Sequence, residues 1–146
     1  MDTQTNRVAW LLGLGGLIPF FVAAIFVAAG PAEWRGFAEG ALLAYGAVIL
    51  SFLGAVHWGL ALRPLSAEAA YGPLRLGLGV VPSLLGWVAL LVPAWAGYAL
   101  LIACVLGTAA VEQWGAFKGL VPRPYMTLRW VLSLCAAVAL AGAALT

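Results

Sequence analysis

The chain has 146 residues, of which 65% are hydrophobic and 8% charged, and its formal net charge is +2. A soluble domain carries roughly 25% charged residues, and a mean hydropathy of +1.07 excludes one here. No basic run with interleaved aromatics occurs, which argues against a nucleic-acid partner.

The few charges sit between five apolar stretches at 8–29, 41–62, 76–92, 97–114 and 125–145. Each is about 17 to 22 residues long, at or near what a helix needs to cross a roughly 30 Å hydrocarbon layer. The expected fold is all-α: an integral membrane bundle of five transmembrane helices, with 1–146 as a single domain.

The first stretch is longer than the roughly 7–15 apolar residues of a cleaved signal, and four more follow, so it is read as a retained span. Within it Leu12-Gly13-Leu14-Gly15 precedes Pro19. A proline leaves the carbonyl four residues back without its donor, so a kink is expected that frees Gly15. The second stretch carries His57, the single histidine, about 8 Å from its end. Its helical face is Gly46, Ala47, Leu50, Gly54, His57 and Ala61, a mostly small face suited to packing on other helices.

The third stretch repeats the phrase as Leu76-Gly77-Leu78-Gly79 before Pro82, which predicts a second kink freeing Leu78. Pro93-Ala94-Trp95-Ala96 reads as a tight hairpin into the fourth. Both helices of that hairpin are short, about 26 Å, and are expected to stand nearly upright or in a thinned bilayer. Thr108 and Glu112 share a face of the fourth stretch, and Arg129 and Ser133 a face of the fifth. Cys104 and Cys135 lie near the middle of these last two and read as small apolar packing residues. Trp10, Trp34, Trp58, Trp95, Trp114 and Trp130 fall near the ends, as an interfacial belt does.

The recurring phrases suggest a parallel two-helix repeat of the form 2+2+1. His57-Trp58-Gly59 parallels Gln113-Trp114-Gly115, and Tyr71-x-x-Leu74-Arg75 parallels Tyr125-x-x-Leu128-Arg129.

Short loops let basic residues set orientation. One side holds Arg7, Arg63, Arg75, Lys118, Arg123 and Arg129, and the other Arg35. The N-terminus is therefore expected in the cytoplasm and the C-terminus in the periplasm.

His57, Arg75, Thr108, Glu112 and Arg129 come from four helices yet share one depth, near the Arg-rich side. Ionisable groups inside a membrane are costly and usually paired, so Glu112 with Arg129 is the pair expected first, with His57 hydrogen-bonding Glu112 or Thr108. Three readings fit the cluster. The arginines snorkel to phosphate while a Glu–Arg pair locks the bundle; the cluster holds a lipid or quinone headgroup; or it forms a proton or ion path.

Catalytic constellations are missing. The single aspartate is Asp2, and no Walker loop, His-Glu-x-x-His or Cys-x-x-Cys is present. One histidine cannot make a bis-histidine haem pair, and two thiols fall short of a metal set. No enzyme activity, cofactor or metal is expected.

The second stretch carries the run Tyr45-Gly46-Ala47-Val48-Ile49-Leu50-Ser51-Phe52-Leu53-Gly54-Ala55-Val56-His57-Trp58-Gly59, whose most specific part is Gly54-Ala55-Val56-His57-Trp58-Gly59. With Val81-Pro82-Ser83-Leu84-Leu85-Gly86-Trp87 and Tyr125-x-x-Leu128-Arg129, it resembles a small membrane-protein family of proteobacteria and mitochondria that includes transmembrane protein 69. That resemblance implies about five spans and an energy-transducing inner membrane, and it brings no activity or site. Small size, the lack of a catalytic set and small-residue faces point to a non-catalytic accessory subunit or assembly factor of a larger inner-membrane complex. The expected partners are that complex and membrane lipids. A quinone- or lipid-binding protein and a small transporter are the alternatives.

Overall fold

The computed structural model describes residues 3–63 and 66–146, so Asp2 lies outside the described residues. Among the described residues six α-helices form: α1 Thr3–Gly15, α2 Ile18–Ala29, α3 Ala32–Leu62, α4 Gly72–Ala89, α5 Ala94–Phe117 and α6 Arg123–Ala144. A short 3-10 helix, Ser66–Tyr71, leads into α4. Among the described residues five helical segments are long and apolar enough to cross a membrane, α1 and α2 together counting as one. The chain is an all-α membrane bundle.

Its packing follows from a solvent that is as apolar as the side chains. Large residues such as Leu11, Phe37, Phe52 and Val138 are exposed on the outside, where lipid replaces water. Helix α2 packs on α3, α3 on α4, α4 on α5 and α5 on α6, while α6 closes the ring onto α2 and α3 reaches α5. Phe20, Leu42, Leu50, Leu101 and Leu140 fill the middle. Helix α1 packs on α6 and buries none of its residues.

The first span is broken where a kink was expected. Pro19 occupies the first turn of α2, where a missing N–H costs nothing because that position has no intrahelical acceptor. The Gly16 and Leu17 amides turn back to Leu12 and Leu14, closing α1. The Tyr45 hydroxyl then donates to the Gly16 carbonyl at 2.8 Å, and its ring meets Phe20 edge-on at 4.9 Å. A phenol from α3 thus satisfies a carbonyl exposed at the break, one residue beyond the Gly15 that proline chemistry singles out. Pro82, in the matching phrase, sits inside a continuous α4.

Other boundaries also shift. Helix α3 runs for 31 residues, about 46 Å, and overshoots a roughly 30 Å layer. The overshoot falls in the N-terminal turns bearing Glu33, Arg35 and Glu39, where Arg35 pairs with Glu39 at 3.4 Å on the surface. The hairpin turn falls at 90–93, because Pro93 caps α5 and Ala94-Trp95-Ala96 form its first turn. Helix α5 has 24 residues, about 36 Å, so it needs no thinned bilayer.

Glycines bring backbones together where hydrophobic driving force is absent. A Cβ on Gly54 of α3 would fall on the Gly79 carbonyl oxygen of α4, and a Cβ on Gly79 would strike the Trp58 ring. The Trp58 indole donates to the Leu76 carbonyl at 3.1 Å, so this tryptophan ties α3 to α4 as well as facing lipid. Gly54→Ala is expected to destabilise by about 1–3 kcal/mol through overpacking against backbone. Gly107→Ala, with open space around it, is expected to be neutral or to stabilise by up to about 1 kcal/mol. Unfolding of the purified protein by sodium dodecyl sulfate, followed by helicity, compares the two.

Candidate functional site

Helices α5 and α6 are consecutive and antiparallel, which sets Glu112 opposite Arg129. Both are buried, and Arg129 Nε donates to Glu112 Oε2 at 2.6 Å. The guanidinium also donates to the Ser133 hydroxyl at 2.5 Å and to the Thr108 hydroxyl at 2.8 Å. Thr108 and Ser133 in turn donate to carbonyls one turn back in their own helices, Cys104 and Arg129. Each hydroxyl therefore spends its proton on its own helix and offers a lone pair to the cation. The i,i+4 spacings put Thr108 one turn from Glu112 and Ser133 one turn from Arg129, so the four groups meet at one level.

His57 of α3 reaches the same carboxylate, with Nε2 lying 3.4 Å from Glu112 Oε1. Glu112 is thus shared between a permanent cation and an imidazole. Arg75 is buried one turn into α4, but its Nη1 pairs with Glu68 at 2.8 Å and its Nη2 donates to the Leu120 carbonyl at 3.3 Å. It joins His57 and Glu112 in lining a small cavity of about 40 Å³. Of the five expected residues, His57, Thr108, Glu112 and Arg129 converge directly, and Arg75 stands beside them with its own acid.

The two buried arginines, Arg75 and Arg129, both turn inward. They hold equivalent places in the Tyr-x-x-Leu-Arg phrase, and each meets a glutamate. Glu68 escaped notice because it lies in a connection that reads as a plain loop. The tryptophans of the other shared phrase diverge, since Trp58 bonds to Leu76 while Trp114 carries the Lys118 ammonium 5.2 Å from its ring centre.

A second feature has no sequence forerunner. A cavity of about 340 Å³ lies between α1, α3 and α6, walled by residues such as Leu12, Phe20, Phe52 and Leu132. Leu12 and Phe52 are exposed to the lipid side, so the cavity is a cleft that opens sideways into the bilayer. Its polar wall is Arg129, Ser133 and Tyr125. The Tyr125 hydroxyl makes no hydrogen bond among the described residues. Tyr125 lies one turn before Arg129 on the same face of α6.

Cys104 and Cys135 are free thiols, and no group of three metal-ligating side chains lies together among the described residues.

These features define a multi-pass α-helical membrane protein with a buried ion-pair network beside a lipid-facing cleft. The chain belongs to the family described as protein of unknown function DUF3429, which it matches over residues 5–145. It is also 44% identical, over 85 residues, to transmembrane protein 69 of Xenopus tropicalis, a match covering 58% of this chain and 33% of that relative. The matched part thus spans about a third of the relative's length. No solved structure matches.

Removing one partner of a buried pair strands the other charge, which costs about 3–5 kcal/mol, whereas removing both relieves it. Arg129→Met is therefore expected to destabilise strongly, and the double variant Glu112→Gln with Arg129→Met to recover at least half of that loss. Detergent-unfolding curves for the single and double variants measure the difference.

Proposed function

We propose that this protein is a non-catalytic binding protein of an inner membrane, taking a chain-bearing amphiphile, lipid or quinone, in the cleft between α1, α3 and α6. The observation carrying this reading is the cleft's composition. An apolar cavity of about 340 Å³, with donors from Arg129 and Tyr125 at its wall, suits an apolar chain ending in a hydrogen-bond acceptor. Its lateral opening lets such a molecule enter from the bilayer without crossing water.

The network behind the wall supports the reading further. Arg129 has five N–H donors, and the three bonds to Glu112, Ser133 and Thr108 leave two for a guest. The proposal places the guest's headgroup beside this polar cluster, on the cleft side.

Native mass spectrometry of the protein released from membranes tests it. Wild type is expected to carry a lipid or quinone, and Leu132→Trp, which fills the cleft, to lose about tenfold or more of it. Equal loading of both proteins would overturn the reading.

A second reading, assembly with a membrane-protein complex, draws on a different surface. Several small residues of α3 to α5 are engaged within the chain: Gly46 against Leu101, Gly86 against Ala47 and Gly97 against Ala89. Gly36 and Gly40, one turn apart on α3, have open space and flank exposed Trp34 and Phe37. Under this reading Gly40→Leu releases the protein from a larger species on native gels, and unchanged migration counts against it.

The proposed threading keeps the N-terminus in the cytoplasm, with Arg7, Arg63, Lys118 and Arg123 on that side. Reporter fusions to each terminus are expected to place the two ends on opposite faces, as an odd number of crossings requires.

A further inference from the structure

The salt bridge is a partition between two cavities. Arg129 and Tyr125 line the lipid-facing cleft, while Glu112 and His57 line the small cavity on the other side. Between them run the 2.6 Å contact from Arg129 to Glu112 and the 3.4 Å contact from Glu112 to His57. A group bound at Arg129 therefore competes for the cation that neutralises Glu112.

Resting on the cleft reading above, we infer that the guest is an acidic amphiphile, and that its binding draws one proton onto His57. The cleft's polar wall includes Arg129, two of whose N–H groups are unused by its three bonds, and Tyr125. Ser133 adds little acceptor capacity, because its oxygen already receives the Arg129 Nη1 proton. A donor-rich, cationic wall favours a carboxylate or a phosphodiester over a headgroup that must itself donate.

Charge balance then dictates the proton. With the cleft empty, Arg129 and Glu112 cancel. A monoanionic headgroup leaves the network one charge negative in a medium that tolerates none. Protonated His57 restores neutrality by pairing with the Glu112 carboxylate that Arg129 partly releases.

The neighbouring groups leave His57 as the acceptor of that proton. Helix α5 presents Glu112 to it. On the α4 side are Arg75, already matched by Glu68, and Tyr71, which lines the same small cavity. From α6, Arg129 acts through Glu112 and is always charged. Lys118 is engaged over Trp114. Among these groups the His57 imidazole is the one with a ring nitrogen that can take up a proton and become a cation.

The test uses the full chain in neutral detergent micelles. Calorimetric titrations with oleic acid and with phosphatidylglycerol run in buffers of different ionisation heat, beside decylubiquinone and oleyl alcohol as neutral probes. At least one acidic probe is expected to bind at least tenfold more tightly than the neutral ones, with uptake of about one proton. Its affinity should fall about tenfold per pH unit over the range in which one proton is taken up, because the complex then holds the extra proton. Which acid does so tells a free fatty acid from a phospholipid.

His57→Gln is expected to keep binding but lose both proton uptake and the pH slope. Tyr125→Phe, which leaves the salt bridge intact, is expected to weaken the acidic probe about tenfold. Uptake persisting in His57→Gln would overturn the assignment of the proton. Neutral probes binding as tightly as acids, and displaced by Leu132→Trp, would overturn the inference while leaving the cleft reading standing. No probe binding at all would remove both.

Discussion

The ion pair between Glu112 and Arg129 constrains everything around it. Two charges inside a hydrocarbon layer are costly, and their mutual attraction offsets that cost only when the remaining donors and lone pairs are also satisfied. Here every guanidinium nitrogen has a partner, Nε on the carboxylate, Nη1 on Ser133 and Nη2 on Thr108, with one N–H of each Nη left over. Such a network admits one register between α5 and α6. Sliding either helix by a turn would part Arg129 from Glu112 and Thr108 together, leaving it only Ser133 of its own helix. Because His57 contacts the same carboxylate, α3 is held at that level too.

Away from this level, cohesion is a matter of fit. Lipid tails are as apolar as leucine, so two helices gain by approaching closely rather than by hiding from solvent. The crossing of α3 over α4 shows this at Gly54 and Gly79, whose backbones come too near for a Cβ on either. Trp58 closes the contact by bonding to Leu76 across it. The Trp130 indole bonds to Gln113 at 3.0 Å in a comparable link from α6 to α5. Polar atoms on these two large side chains thus act as cross-ties within the bundle.

Span number and the central pair were legible from sequence because both rest on strong, local constraints. Length sets what can cross a bilayer, and the cost of a buried charge demands a partner close by. What escaped reading depended on distant partners. Leu12-Gly13-Leu14-Gly15 before Pro19 and Leu76-Gly77-Leu78-Gly79 before Pro82 look alike, yet the first breaks its helix and the second does not. Tyr45 is the evident difference, since it supplies a donor at Gly16 from 29 residues away. Arg75 was placed at the right level with no partner named, because Glu68 sits in a 3-10 turn that hydropathy cannot resolve. The cleft was invisible for a similar reason: it arises from how α1 sits, and α1 has no buried face to announce its position.

That lack of a buried face ties the break to the cleft. An unbroken first span would lay one continuous stripe along α3 and α6. The break at Gly16 instead lets α2 pack on α3 and α6 while α1 packs on α6 alone among its principal contacts. Space is left between α1 and α3 at the level of Phe52 and Leu53, with Arg129 at its wall. Tyr45 holds the break in place from the α3 side, and the close approach of Gly13 to Leu132 holds α1 from the α6 side. The same proline that ends the helix therefore makes room beside the ion pair. Cavity and charge meet at Arg129, where one face of the guanidinium answers to Glu112 and the other to the bilayer.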